Sequence, residues 1–405
     1  MTGLPSPQRH ALIDALRGFA LAGVALVNLR SLSLYALMPE EARAQLATAG
    51  FDAMAAQWMA VLVDTKFITL FSFLFGLGFA LQVDRVDGSS DHVRRTYVRR
   101  MSGLALIGMV HGYFVWWGDI LLTYAVVGLI LLPLRRLSDH GLIAVALLVA
   151  VLPPVVSTWV RGALPALPTG SEALAYGLAA FASPDWRTAL QGNAEMANWA
   201  RMANWALVCF VLSRFLLGYW AGRKGLLQVP AAHRPLLKRL AIGGALLGLV
   251  LMGLGEIHGP VRAANPALDT GAVRLALRMV LRLESIALAT AYAAGFALLF
   301  TTSSGRSRLA VLAPVGRMAL THYLLQSVAG IGLFYGAGLG LGPRWGLPAV
   351  LATWVVMFAA QVVLSYWWLA HYHYGPVEWV WRWITRGTRP VFRREPPSRQ
   401  VQPAF

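Results

Sequence analysis

The stretch "DALRGFALAGVALVN", Asp14 to Asn28, decides how the chain is read. It is a Gly- and Ala-rich apolar run, and a membrane-spanning helix needs about 20 mostly apolar residues. Yet an aspartate and an arginine stand at its start and an asparagine lies inside it. A charge at the bilayer centre costs about 2.5–3.5 kcal/mol even on lenient insertion scales, so each of these residues needs a reason. On a helix, Arg17 and Asn28 fall on nearly the same face, roughly 16 Å apart in depth, with Asp14 one turn before Arg17. Two readings follow. In one, Asp14 caps the helix and pairs with Arg17 at the cytoplasmic interface, while Asn28 bonds a neighbouring helix. In the other, Arg17 binds an anion from the cytoplasm and Asn28 orients a reacting group farther out.

Composition supports the membrane reading. The chain has 405 residues, 57% hydrophobic and 13% charged, where a soluble domain carries about 25% charged residues. The net charge of +17 is met by basic cytoplasmic loops and their attraction to anionic lipid, so it does not call for nucleic acid. A single cysteine, Cys209, excludes an intrachain disulfide and a cysteine metal cluster. The N-terminal region is only loosely like a signal peptide and is read as a retained first helix.

By the length criterion the chain holds about ten spans, near 12–37, 55–82, 101–117, 119–135, 140–160, 203–222, 238–256, 276–300, 311–338 and 347–370. With the N-terminus in the cytoplasm, the inner segments collect Arg85, Arg94, Arg95, Arg99, Arg100, Arg135, Arg136, Arg223, Lys224, Arg234, Lys238, Arg239, Arg306, Arg308 and a basic tail. The outer loops carry Glu40, Glu41, Asp52, Glu172, Asp185, Glu195, Glu256 and Asp269. That asymmetry predicts an all-α polytopic bundle with both termini inside. Residues 1–390 form one transmembrane domain: a core over about 11–160, an extracytoplasmic loop over 161–202 and C-terminal helices over 203–370. Trp379 and Trp383, with Arg382 and Arg386, suit an interfacial helix over about 376–386. Residues 391–405 read as a disordered basic tail.

Further polar residues sit at membrane depth. Asp64 and Lys66 are in the outer half of the second span and point to different sides. Lys66 can snorkel to the interface, whereas Asp64 is deeper. His111 is a packing residue or a proton-transfer group, and Asp119 can lie against it and fix its tautomer. Arg278 and Arg282 enter the eighth span, with Glu284 on another side, and the arginines form either an outward anion site or ion pairs with Asp64 or Asp119. His322 and Gln326 share a face of the ninth span. Arg317 is near its inner end and groups with Arg17 and Arg214 in an inner basic pocket.

Four stretches carry a family resemblance: "DALRGFALAGVALVN", "KFITLFSFLFGLGFAL", "RRMSGLALIGMVHGYFVWWGDILLTYAVVGLILL", and "GRMALTHYLLQS" with "YGPVEWVWR". Together they resemble the YeiB-like membrane family, domain of unknown function 418, over nearly the whole chain. The first helix is also similar to that of transmembrane acyltransferases, the heparan-glucosaminide acetyltransferases and acyltransferase-3 enzymes. These take acetyl-CoA from the cytoplasm and acylate a sugar on the far side. Acyltransferase-3 enzymes have a histidine after the arginine that Arg17 matches, where this chain has Asn28. The heparan-glucosaminide enzymes tend to have asparagine there and place a histidine in the following segment. That segment has no histidine here.

The resemblance therefore implies an acyltransferase in which His111, steered by Asp119, is the first candidate base and His322 the second. Arg17, with Arg214 and Arg317, would hold acyl-CoA phosphates while Asp14 pairs with Arg17, and Asn28 would orient the thioester. Asp64, Arg278, Arg282 and Gln326 complete the candidate substrate contacts. The implied partners are the bilayer, acyl-CoA as co-substrate and an extracytoplasmic glycan or similar acceptor, with no bound cofactor and no metal. The implied location is the bacterial inner membrane. Two other classes are open: a secondary transporter using Asp64, Glu284, His111 and the eighth-span arginines, and a scaffold in which the buried charges are merely paired.

Overall fold

The computed structural model describes residues 8–83, 90–265 and 269–394. Arg85 and the tail from residue 395 lie outside them. The described residues are helical, apart from turns and one isolated bridge between Tyr372 and Arg393. α1 (Gln8–Leu32) is followed by a short 3-10 turn, α2 (Glu40–Ala44), α3 (Ala49–Leu62) and α4 (Lys66–Val83). α5 (Ser90–Phe114) and α6 (Leu121–Leu134) form a hairpin, and α7 (Asp139–Val151) meets α8 (Pro153–Ala163) at a 45° bend. Then come α9 (Gly170–Ala182), α10 (Trp186–Ala203), α11 (Ala206–Arg223), α12 (Arg234–Ala264) and α13 (Gly271–Val280). The chain closes with α14 (Glu284–Phe300), α15 (Ser303–Leu309), α16 (Ala313–Arg317), α17 (Ala319–Phe334), α18 (Gly346–His371) and α19 (Pro376–Arg386).

Six helical stretches are long and apolar enough to cross a bilayer: Ala11–Leu32, Ala49–Gln82, Ala206–Arg223, Arg234–Ala264, Gly271–Phe300 and Gly346–His371. The bent α7–α8 pair makes up to seven. This fits a membrane protein. Large apolar side chains such as Ile242, Leu246 and Val250 of α12, and Val355, Val356 and Val363 of α18, are exposed. A bilayer is the solvent that such faces suit.

α1 is at the centre. Its apolar window is 67% buried inside the bundle, against 11% for α12 and 17% for α18. It packs on α4, α16, α17 and α18. Contact with α16 is backbone to backbone: a Cβ on Gly316 would overlap the Asp14 carbonyl, and one on Gly18 the Leu312 carbonyl. Only glycine permits that approach.

Several expected spans are interrupted. The expected helix over 55–82 breaks between α3 and α4, where Thr65 takes a left-handed φ of 63°. Lys66 Nζ reaches back to the Ala60 carbonyl at 2.6 Å, satisfying a group the break frees. A 3-10 turn over Leu281–Leu283 interrupts the expected helix over 276–300. The segment expected as a loop over 161–202 is largely the hairpin of α9 and α10, started by a Thr169–Glu172 capping box and an Asp185 cap. Of the tail expected from residue 391, the described part folds back, with His373 donating to the Phe392 carbonyl and Arg394 to the His371 carbonyl.

Two helices receive their N-terminal caps from other helices. Glu378 of α19 accepts from the backbone of Leu320 at 2.7 Å and Thr321 at 3.0 Å, and from the Thr321 hydroxyl at 2.5 Å, at the start of α17. Asp52 of α3 accepts from the Leu347 backbone at 3.0 Å, at the start of α18. Each places a carboxylate on the positive end of a helix dipole.

Burial pushes the Glu378 carboxyl above the usual glutamate range, against the opposing pull of the Thr321 bonds. Its folded state therefore holds a proton more tightly than its unfolded state. This contribution to stability is present below the ordinary glutamate value and fades as pH rises through the raised one. Thermal unfolding in lipid nanodiscs should show that slope, and Glu378→Gln should flatten it with little other loss. Glu378→Ala leaves buried donors bare and should cost about 1–3 kcal/mol for each.

Candidate functional site

The α5–α6 hairpin brings His111 and Asp119 together. His111 stands in the last turn of α5. The chain then turns through Trp116, Trp117 and Gly118, and Asp119 Oδ1 accepts from the Leu122 backbone at 3.0 Å, capping α6. Its other oxygen, Oδ2, is 2.8 Å from His111 Nδ1, and the two side chains are 0% and 2% exposed. An ionised carboxylate only accepts, so Nδ1 is the donor, and in the neutral ring this leaves the lone pair on Nε2. Nε2 is buried and has no hydrogen-bond partner among the described residues. The imidazole lies 5.2 Å from the ring of Tyr323 and 6.4 Å from that of Trp116. The Tyr323 hydroxyl accepts from the Ile120 backbone at 3.3 Å, tying α17 to the same turn.

α10 closes the hairpin end of α5 and α6. The Asn193 amide donates to the carbonyls of Gly112 and Tyr113 at 3.1 and 3.0 Å and accepts from the Trp117 backbone at 2.6 Å. It thereby satisfies carbonyls that the end of α5 leaves unpaired. The Arg201 guanidinium lies 4.4 Å from the centre of the Tyr113 ring, and its Nη2 is buried with no hydrogen-bond partner among the described residues. A Cβ on Gly112 would collide with that guanidinium and press on Asp119. A groove beside this cap is lined by Tyr113, Phe114, Trp186, Arg187 and Gln191. Asn193 and Arg201 are site neighbours that the sequence reading missed. They lie in the segment taken for a loop, with no motif to mark them.

A second cluster gathers around the N-terminal end of α1. Arg17 pairs with Asp14 at 2.8 Å. Arg100 sits 3.9 Å over the Trp381 ring and feels the charges of Arg382 and Arg17. Asp14 and Glu378 act on Arg382. Arg317 donates to the His373 carbonyl at 3.4 Å. Arg100 and Arg382 were not singled out by sequence. On α5, Arg100 and His111 repeat the spacing of Arg17 and Asn28 on α1, roughly 16 Å of rise on nearly one face.

The remaining candidates separate. Arg214 does not join Arg17 and Arg317: its partners are Ser285 at 3.0 Å and the Phe210 ring, and the charge it feels is Arg282. The ion pairs weighed for Arg278 and Arg282 do not form, because Asp64 is held by Arg30 at 3.1 Å and Asp119 by His111. Arg278 is exposed, and Arg282 donates to the Ala150 carbonyl at 2.7 Å. Lys66 does not snorkel: it is buried and pairs with Glu284 at 2.9 Å. Asn28 is half-buried and has no side-chain hydrogen bond among the described residues. His322 Nε2 is 2.6 Å from the Ser365 hydroxyl, which donates to the Gln361 carbonyl, and Gln326 donates to the Gln361 side chain. The two histidines thus belong to different contacts, His111 to a carboxylate and His322 to an amide and hydroxyl network with α18. No metal-holding group of three or more His, Cys, Asp or Glu occurs among the described residues.

Comparison with known proteins covers the whole bundle. The chain is 31% identical over 400 residues to the uncharacterized protein YeiB of Escherichia coli (strain K12), covering 93% of this chain and 96% of that one. The family model "Protein of unknown function (DUF418)" matches residues 221–388. The chain belongs to the DUF418 family. It is also 29% identical over 402 residues to the uncharacterized protein YxaH of Bacillus subtilis (strain 168), covering 93% and 94% of the two chains. A 39.9 kDa protein from the amylase 3' region of Bacillus acidopullulyticus is 25% identical over 379 residues, with 93% and 94% coverage. No solved structure gives a significant match. The DUF418 match holds Glu378 and the α17 turn it caps, whereas His111, Asp119 and Arg17 precede it.

The His111 geometry makes a spectroscopic prediction. In protein with nitrogen-15 histidine, the neutral His111 ring should show a protonated Nδ1 and a bare Nε2. Asp119→Ala should remove that preference. A protonated Nε2 in wild type would contradict the assignment.

Proposed function

We propose that this DUF418 protein is a membrane acyltransferase that moves an acyl group from cytoplasmic acyl-CoA to an extracytoplasmic glycan or similar acceptor. The observation that carries the reading is the buried His111–Asp119 pair with an open Nε2. In the transfer, Nε2 takes the proton of an acceptor hydroxyl. The acceptor oxygen attacks the thioester carbonyl, the C–S bond breaks, and the CoA sulfur leaves as a thiol with that proton. Asp119 keeps the ring in the basic tautomer and stabilises the imidazolium. The Arg17, Arg100 and Arg382 cluster would take CoA phosphates by charge-assisted hydrogen bonds. The Arg100-to-His111 rise gives the thioester arm its reach. The groove at Tyr113 and Trp186 would admit the acceptor.

The reading includes a topology. The six long stretches, the α7–α8 pair, the two shorter apolar helices Leu121–Leu134 and Ala319–Phe334, and α5 make the ten spans, with both termini in the cytoplasm of a bacterial cell. A transporter is the second reading. It is favoured by the helix break at Thr65, flanked by the Arg30–Asp64 and Lys66–Glu284 pairs, since broken helices mark substrate paths in transporters.

Turnover of labelled acetyl-CoA by protein in nanodiscs tests the chemistry. His111→Ala should lower turnover by about 10²–10⁴ while sparing donor binding. Arg17→Ala should weaken donor binding about tenfold or more. Full activity in both variants would overturn the assignment, and counter-ion-dependent flux without acetyl-CoA consumption would favour transport.

Topology is tested separately in a Cys209→Ser background. Ala175→Cys should react with an impermeant maleimide in intact cells, and Thr388→Cys only after the membrane is opened. The reverse pattern would invert the bundle.

A further inference from the structure

Arg214 is a buried charge without a carboxylate. It lies in the middle of α11 and is 1% exposed. Nη2 donates to the Ser285 hydroxyl at 3.0 Å, and the guanidinium lies 3.8 Å from the centre of the Phe210 ring. Nε and Nη1 are buried with no partner among the described residues. The charge acting on Arg214 has the same sign: it is Arg282, anchored through Nε to the Ala150 carbonyl. Glu284, next in sequence to Ser285, is taken by Lys66 at 2.9 Å. Ser285 itself follows the 3-10 turn that carries Arg282, one helical turn further along the same stretch. Two arginines and a serine hydroxyl therefore meet where the described residues supply no free negative group.

We propose that Arg214, Arg282 and Ser285 form a binding site for a phosphate group. A guanidinium with two free N–H directions matches phosphate oxygens, and charge-assisted bonds of this kind are the strong ones. A ring face and a hydroxyl stabilise a cation but leave its charge in place, and two neighbouring cations in low dielectric need a counter-charge. A phosphate supplies it. The phosphate belongs either to a soluble ester or to a lipid headgroup, since Arg282 is only half-buried. The site is distinct from the cluster at Arg17 and does not rest on acyl transfer.

The test uses full-length protein in phosphate-free maltoside detergent. Inorganic phosphate is titrated against chloride at equal ionic strength, and phosphatidylglycerol is titrated in parallel, with thermal unfolding and phosphorus-31 NMR as readouts. Saturable binding of inorganic phosphate supports the site with a soluble ligand. Saturable binding of phosphatidylglycerol alone, at about one lipid per chain, supports it with a lipid headgroup. Arg282→Met should weaken the bound form about tenfold or more, and Arg214→Met likewise where it folds. The proposal is overturned if folded wild type binds neither probe saturably, or if binding is unmoved by Arg282→Met. It is also overturned if Arg282→Met abolishes acetyl-CoA binding, because the two sites would then be one. A wild type that binds phosphate but no acyl-CoA would remove the acyltransferase reading and leave this site standing.

Discussion

The organising constraint is the matching of buried charge inside an apolar bundle. Carboxylates at membrane depth are scarce and committed: Asp14 to Arg17, Asp64 to Arg30, Glu284 to Lys66, Asp119 to His111. Asp52 and Glu378 serve helix N-termini instead of cations. An unpaired charge in such surroundings costs several kcal/mol, so this distribution fixes which helices are neighbours. Arg30–Asp64 fastens α1 to the α3–α4 break, and Lys66–Glu284 fastens the same break to α14. The interruptions at Thr65 and Leu281–Leu283 are not independent irregularities. They are the places where these pairs and carbonyl contacts satisfy what a broken helix exposes.

Close backbone approach does the rest. α1 can be central because Gly18 and Gly316 let it touch α16 without side chains between them. Gly76 and Gly218 do the same between α4 and α11, each facing the other helix's backbone. In lipid, where apolar burial offers little net drive between helices, such van der Waals contact is a main source of association. α12 makes such an approach on one side only, Gly244 against the Ala287 carbonyl of α14, and leaves its other faces outward.

What could be read from the sequence follows from how local each feature is. The helical class and the apolar stretches are legible because each depends on one continuous segment. The His111–Asp119 pair is legible for the same reason: the residues are close in sequence and a hairpin brings them together. The Asp14–Arg17 pair lies within one turn of helix. Long-range partners were not legible. Nothing near Asp64 names Arg30, and nothing near Glu378 names Leu320 and Thr321. The Arg214 grouping failed because depth along α11 does not say which neighbouring helix the side chain faces. Asn193 and Arg201 escaped because α10, an amphipathic helix of low mean hydropathy, looks like a polar loop.

The family motifs gain a physical meaning from the caps. "GRMALTHYLLQS" and "YGPVEWVWR" are distant in sequence, yet Glu378 of the second holds the Leu320 and Thr321 amides of the first. α17 then carries Tyr323 to the ring of His111 and to the Ile120 backbone. Trp381 of α19 meanwhile lies under Arg100, with its Nε1 donating to the Arg100 carbonyl at 2.8 Å. One short helix thus braces both the arginine cluster around Arg17 and the helix that backs the histidine. A disturbance at α19 has two routes to the hairpin, through α5 and through α17, and both end at His111.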